Sequence, residues 1–124
     1  TDGDGGRGLD EGIERGVPLI IHAHGDNQTA LESLISKLED CPISLTHRTH
    51  HEIRGMRNPG GFTDGDRAAC IAISMGVKVS RIDLLGTRSD VVGKYSGATN
   101  PKRKLEKLVW MKNVLEELGF EGIR

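Results

Sequence analysis

Apolar positions along the chain switch between helical and strand-like spacing, and the switches predict its elements. Leu9 and Ile13 stand one helical turn apart in a polar run, predicting a short helix over Leu9–Arg15 that Gly16 ends. Val17–Ala23 gathers Leu19, Ile20 and Ile21 into a brief apolar run closed by Gly25, which reads as a buried strand. Leu31, Leu34, Ile35 and Leu38 then share one helical face, with Thr29 and Glu32 spaced as a capping box. Ile43–Thr46 reads as a second strand, and His47–Gly61 as an irregular basic stretch carrying Arg48, Arg54 and Arg57. Asp66–Met75 has helical spacing, with Ala68, Ala69, Ile71 and Ala72 as its packing faces. Val77–Leu85, rich in β-branched and apolar residues, reads as a third strand. Asn100 and Pro101 mark the start of a last helix, Gly119 its end, and Leu105, Leu108, Val109, Leu115 and Leu118 its buried stripe.

Strands alternating with helices predict an α/β fold, a parallel sheet with flanking helices joined by right-handed crossovers. One α/β catalytic domain is expected over residues 1–124. Ligands of such sheets gather at the carboxyl ends of the strands. The polar clusters of this chain fall just after predicted strands. The opening loop, Thr1-Asp2-Gly3-Asp4-Gly5-Gly6, has neither an initiator methionine nor a strand before it, so the expectation is the C-terminal part of a longer parent chain.

Composition narrows the function classes. Hydrophobic residues at 35% and charged residues at 28% fit a folded domain, and no apolar run approaches the ~20 residues of a spanning helix. Lys and Arg number 17 against 18 Asp and Glu, so the chain lacks the basic surplus that nucleic acid demands. Aromatic residues at 3% leave few platforms for bases. Cys41 and Cys70 lack metal spacing and read as reduced thiols. With no charged-then-apolar leader, the expected setting is the cytoplasm, away from membranes.

Four polar clusters carry candidate chemistry. Asp2 and Asp4 sit two residues apart on a glycine loop, where both can reach one hard cation; magnesium prefers such oxygen ligands alongside water and phosphate. A solvated Asp-Gly turn has the same sequence. His22-Ala23-His24-Gly25-Asp26-Asn27 closes the first strand, with His22 and His24 on one face. Asp26 could join Asp2 and Asp4, the imidazoles could bind zinc, or Asp26 or Asn27 could cap the next helix. Gly60-Gly61-Phe62-Thr63-Asp64-Gly65-Asp66-Arg67 leads into a helix whose free N–H groups suit phosphate, with Arg67 as a two-point clamp. Thr63 and Asp66 are also spaced as a capping box. Gly93-Lys94-Tyr95-Ser96-Gly97 puts a lysine on a glycine loop, suited to a migrating phosphoryl group, though without P-loop spacing. Lys102, Arg103 and Lys104 read as a solvated helix face. Four such loops would converge on one sheet edge as an acidic metal nest flanked by cations.

In sequence these clusters resemble the archaeal 6-hydroxymethyl-7,8-dihydropterin pyrophosphokinase family, whose fold is similar to the catalytic domain of thiamin pyrophosphokinase. The matching strings are T-D-G-D-G from Thr1, V-P-L-I-I-H-A-H-G-D-N from Val17, G-G-F-T-D-G-D-R-A from Gly60 and G-K-Y-S from Gly93. The chain departs from the family at Gly3, where a larger apolar residue is usual, and it lacks the family's amino-terminal portion. The resemblance implies transfer of diphosphate from ATP to the pterin's hydroxymethyl oxygen with release of AMP, in folate or methanopterin synthesis. By the same analogy Asp2, Asp4 and Asp26 hold magnesium. His24, Asn27, Thr63, Asp64 and Arg67 then line the nucleotide or pterin site, and Lys94 and Ser96 touch phosphate. Asp64, Arg67 and Lys94 are the expected catalytic residues, with Asp64 or His24 as the base. The expected partners are small molecules, with homo-oligomerisation left open. Three rivals stand beside this reading: transfer to thiamin, a metal-dependent hydrolase built on His22, His24 and Asp26, and a nucleotide-binding module without turnover.

Overall fold

The computed structural model describes residues 1–93, 96 and 99–124, and the chain divides into two compact units, Thr1–Asn58 and Pro59–Arg124. Among the described residues, no helix is long and apolar enough to cross a membrane.

The first unit is the α/β part. Its elements are α1 (Gly6–Glu14), β1 (Leu19–Ala23), α2 (Gln28–Ile35), β2 (Ile43–His47) and β3 (Met56–Arg57). All strand pairs are parallel in the order β1-β2-β3, with Leu19 opposite Ile43, Ala23 opposite His47, and Leu45 opposite Met56. The pleat sends Ile21 into a core with Leu34 and Leu38, covered by Leu9, Ile13, Leu19, Leu31 and Leu45. Thus Leu9, Ile13, Leu31, Leu34 and Leu38 cover the sheet as their spacing predicts, whereas Ile35, expected on the same face, is 64% exposed. The opposite face of β1 carries His22, also buried, and Ile20, which is partly exposed. Lys37 reaches Asp10 at 3.1 Å, tying the end of α2 to α1.

Two expectations fail in this unit. The basic stretch is not wholly irregular, because Met56–Arg57 forms β3. Two residues cannot display a period, so this strand is selected by pairing with Leu45 and Thr46 rather than by its own pattern. The Thr29–Glu32 capping box does not form either. The helix starts two residues too early for it, at Gln28, whose side-chain amide donates to Glu32 Oε1 at 2.8 Å.

The second unit holds α3 (Asp64–Ser74) and α4 (Pro101–Glu117) around Ala69, Leu108, Met111, Leu115, Phe120 and Ile123. Leu115 is fully buried, which contributes about 2 kcal/mol by transfer from water. The Asn100 side chain accepts from the Arg103 amide at 3.1 Å, and Pro101 takes the first turn as expected. Gly119 supplies the positive φ (94°) that lets Phe120 N–H return to the Leu115 carbonyl and Phe120 fold back into the core.

The third strand expected over Val77–Leu85 is absent. A 3-10 turn over Val79–Arg81 takes its place, and no strand lies in this unit among the described residues. Val79, Ile82 and Leu84 pack on the helical core, while Leu85 is 91% exposed. The apolar character of Val79, Ile82 and Leu84 signalled burial correctly, and that of Val77 and Leu85 did not. Helices rather than a neighbouring strand receive the first three. The stripe on α4 also differs: Met111 is buried and Val109 is 51% exposed. At about 100° per residue, Leu108, Met111, Leu115 and Leu118 share one face from which Val109 points away.

Candidate functional site

The candidate chemistry of the first unit collects at the carboxyl end of β1. Thr1 lies beside it: its main-chain nitrogen donates to Ile20 O at 2.9 Å and His22 N–H donates to Thr1 O at 2.8 Å. This pairing sets Asp2 beside the loop that follows β1. Asn27 then fixes the loop. Its Nδ2 donates to the carbonyls of Asp2 and His22, each at 2.8 Å, and its Oδ1 accepts from His24 N–H at 3.1 Å. Asn27 is the N-cap residue of α2, but its amide is spent on the loop rather than on the helix. Gly3 suits this arrangement, in which a side chain would be strained. Its φ is 101°, and a Cβ would lie 3.1 Å from that of Ala30 on α2.

The imidazole of His24 stands between two carboxylates. Its Nε2 is 3.4 Å from Asp2 Oδ2, and its Nδ1 is 4.0 Å from Asp26 Oδ2. Burial pushes the Asp2 carboxyl up, but a hydrogen bond shared with the Asp4 carboxyl, together with bonds from its own backbone and His24, outweighs this and holds it below the ordinary aspartate value. Asp2 is therefore ionised at neutral pH. Its Oδ1 is buried and has no hydrogen-bond partner among the described residues. An ionised carboxylate with an open buried oxygen, next to Asp4, fits a hard divalent cation. Magnesium is commonly held by one or two carboxylates plus water and phosphate.

Asp26 is placed differently. Its side chain is 85% exposed and lies 3.7 Å from Arg48 Nη2. Among the described residues, no three His, Cys, Asp or Glu side chains stand close enough together to hold a metal. The structure thus sets His24 against Asp2 and keeps Asp26 on the far side of the imidazole. Sequence reasoning missed Thr46, buried opposite His22 in the β1-β2 register, whose hydroxyl lies 3.1 Å from His22 Nδ1. A polar β-branched residue opposite a histidine in parallel register was the available signal.

The second unit carries the glycine-rich loop before α3. Asp66 is fully buried: Oδ2 accepts from Phe62 N–H, and Oδ1 from both N–H and Oγ1–H of Thr63, each at 2.6 Å. The capping box is real, and it commits the Thr63 hydroxyl. The buried guanidinium of Arg67 donates to the carbonyls of Gly60 at 2.9 Å and Gly61 at 3.0 Å. It binds the loop's own backbone here, which commits two of its five N–H donors. Asp64 opens α3 and is exposed. Lys94 lies outside the described residues. Ser96 is half-buried, with its N–H donating to Gly93 O at 3.1 Å.

No protein-family model matches the chain, and no solved structure matches it significantly. Three curated archaeal proteins do, each named 6-hydroxymethyl-7,8-dihydropterin pyrophosphokinase. The Pyrococcus furiosus protein is 37% identical over 98% of this chain and 53% of its own length. The Methanothermobacter thermautotrophicus protein is 33% identical over 90% of this chain and 50% of its own length. For the Methanocaldococcus jannaschii protein the figures are 31%, 84% and 46%. The chain spans about half the length of these relatives. Over that half, the chain is a homologue of archaeal 6-hydroxymethyl-7,8-dihydropterin pyrophosphokinases.

Proposed function

We propose that this chain is the metal-binding part of an enzyme that transfers diphosphate from ATP to the hydroxymethyl group of 6-hydroxymethyl-7,8-dihydropterin, releasing AMP, in folate or methanopterin synthesis. The observation that carries the reading is the Asp2 carboxylate, ionised, anchored through Asn27 and left with an open buried oxygen. The names of the three relatives support the acceptor.

A magnesium ion held by Asp2 and Asp4 would neutralise the phosphate charge, and Asp26 could join by swinging its exposed side chain off Arg48. The pterin oxygen attacks the β-phosphorus, and the bond from that phosphorus to the α-phosphate oxygen breaks. His24, between Asp2 and Asp26, and Asp64, exposed at the start of α3, are the candidate acceptors of the hydroxyl proton. Asn27 and Thr63 shape the loops that meet the substrates, while Arg67, Lys94 and Ser96 are the proposed phosphate contacts. In such chemistry positioning and charge neutralisation supply most of the acceleration.

His22 weighs against the hydrolase reading: it is buried and bonded to Thr46. The test incubates the protein with ATP, magnesium and either the pterin alcohol or thiamin. AMP formed with the pterin supports the proposal; ADP or free phosphate alone overturns it, and AMP formed only with thiamin reassigns the acceptor.

A further inference from the structure

Trp110 is the chain's single tryptophan, and it lies outside the core. It is 54% exposed on α4 and stacks on Phe62, itself 50% exposed, with ring centroids 5.5 Å apart and planes 15° from parallel. Phe62 is held in place because its amide donates to buried Asp66. Two large rings kept half in water, one of them anchored by a buried carboxylate, make a stacking face that folding does not use.

The stack walls an open groove of about 810 Å³ whose polar lining comes from Asn113, Glu116 and Glu117. That size suits a small molecule. Among the described residues no lysine or arginine lines it, so the lining favours an uncharged ligand over a polyphosphate. It suits a flat, uncharged heterocycle with N–H donors along one edge. A pterin has such an edge, its 2-amino group beside N3–H, and a carboxylate can accept both hydrogens in two-point fashion. Glu116 lies 3.7 Å from Lys112; Glu117 has no ion pair among the described residues and is the available acceptor.

We infer that the Phe62–Trp110 stack and Glu117 form the subsite for the pterin ring. The inference rests on the pterin being the acceptor and deepens that reading by naming the residues that grip it.

The test titrates 6-hydroxymethylpterin into the protein without ATP, following Trp110 fluorescence, with calorimetry in parallel. Saturable quenching is expected. Glu117→Gln, an exposed conservative change, should weaken affinity about tenfold by removing the charge-assisted pair. Trp110→Leu should weaken it similarly by calorimetry. Adenosine, which lacks the paired donors, should bind at least about tenfold more weakly. Absent quenching, an unchanged affinity in Glu117→Gln, or equal binding of adenosine overturns the subsite. Concentration-dependent burial of Trp110 in a dimer of this chain, without pterin, overturns it too. The two readings fail separately. AMP formation unaffected by Trp110→Leu and Glu117→Gln removes the subsite and leaves the transfer. Pterin bound at Trp110 with ADP as the product keeps the subsite and removes the transfer.

Discussion

The side-chain amide of Asn27 donates to the main-chain carbonyl of Asp2 at 2.8 Å, joining two loops 25 residues apart. The same nitrogen reaches His22 O, and the amide oxygen holds His24 N–H. One side chain therefore sets the backbone of the proposed metal carboxylate and of both histidines. Only an uncharged amide can do this, since the bonds need donors and an acceptor from one planar group.

Asn27→Ala should cost about 1.5 kcal/mol in chemical denaturation, three net hydrogen bonds at the low end of their range. Asn27→Asp should cost more, because it loses both donated bonds and adds a negative charge beside Asp2. Parent-like stability in both variants, each of which lacks the donating nitrogen, would show that the donated bonds matter little.

Gly61 has φ 95°, and a Cβ there would lie 2.6 Å from Arg67 Cα and 2.7 Å from its amide nitrogen. Both obstacles are backbone and cannot step aside. Gly61→Ala should therefore destabilise the second unit by roughly 3 kcal/mol and release the Arg67 guanidinium from its carbonyls. Gly65→Ala, where the nearest atom would be 3.8 Å away, is the control and should stay within about 1 kcal/mol of the parent. Thermal unfolding of the two variants checks this.

The parts of the structure legible in the sequence are those with long or chemically marked patterns. β1, β2 and the Asn100–Pro101 start of α4 follow from apolar runs and cap chemistry that act locally. β3 and the turn at Val79–Arg81 were not legible, because partner elements rather than local spacing decide them. The Gly60–Arg67 string was read as ligand chemistry or as a cap. The cap accounts for Asp66 and the Thr63 hydroxyl, and Arg67 turns to the loop backbone. The Phe62–Trp110 stack joins residues distant in sequence, and no period reports such a pair.

Hydrogen bonding from Arg88, with both guanidinium bonds at 2.8 Å, lowers the Asp90 carboxyl to about 2. A depressed folded value means that any stability from this pair is present above the ordinary aspartate range and is lost as pH falls through about 2. Both groups are in solvent, so salt should screen the pair strongly. Carbon NMR of the Asp90 carboxyl should show the low midpoint, and Arg88→Ala should return it toward 3.8. A midpoint unmoved by that substitution would assign the shift to another cause.

Metal binding should separate the aspartates by their surroundings. Asp2 is partly buried, held through its backbone and carries the open oxygen, so a bound cation there sheds little conformational freedom. Asp26 is solvated and lies near Arg48, so recruiting it means ordering a free side chain and giving up that cation. Calorimetric titration of magnesium with a non-hydrolysable ATP analogue should therefore show Asp2→Asn lowering affinity about a hundredfold and Asp26→Asn about threefold, near 2.7 and 0.7 kcal/mol. Arg48→Ala should tighten binding slightly if Asp26 joins the site, by freeing its carboxylate. Equal losses in the two asparagine variants would mean that Asp26 is a full ligand once the nucleotide is bound. No loss in Asp2→Asn would remove the carboxylate on which the proposed chemistry rests.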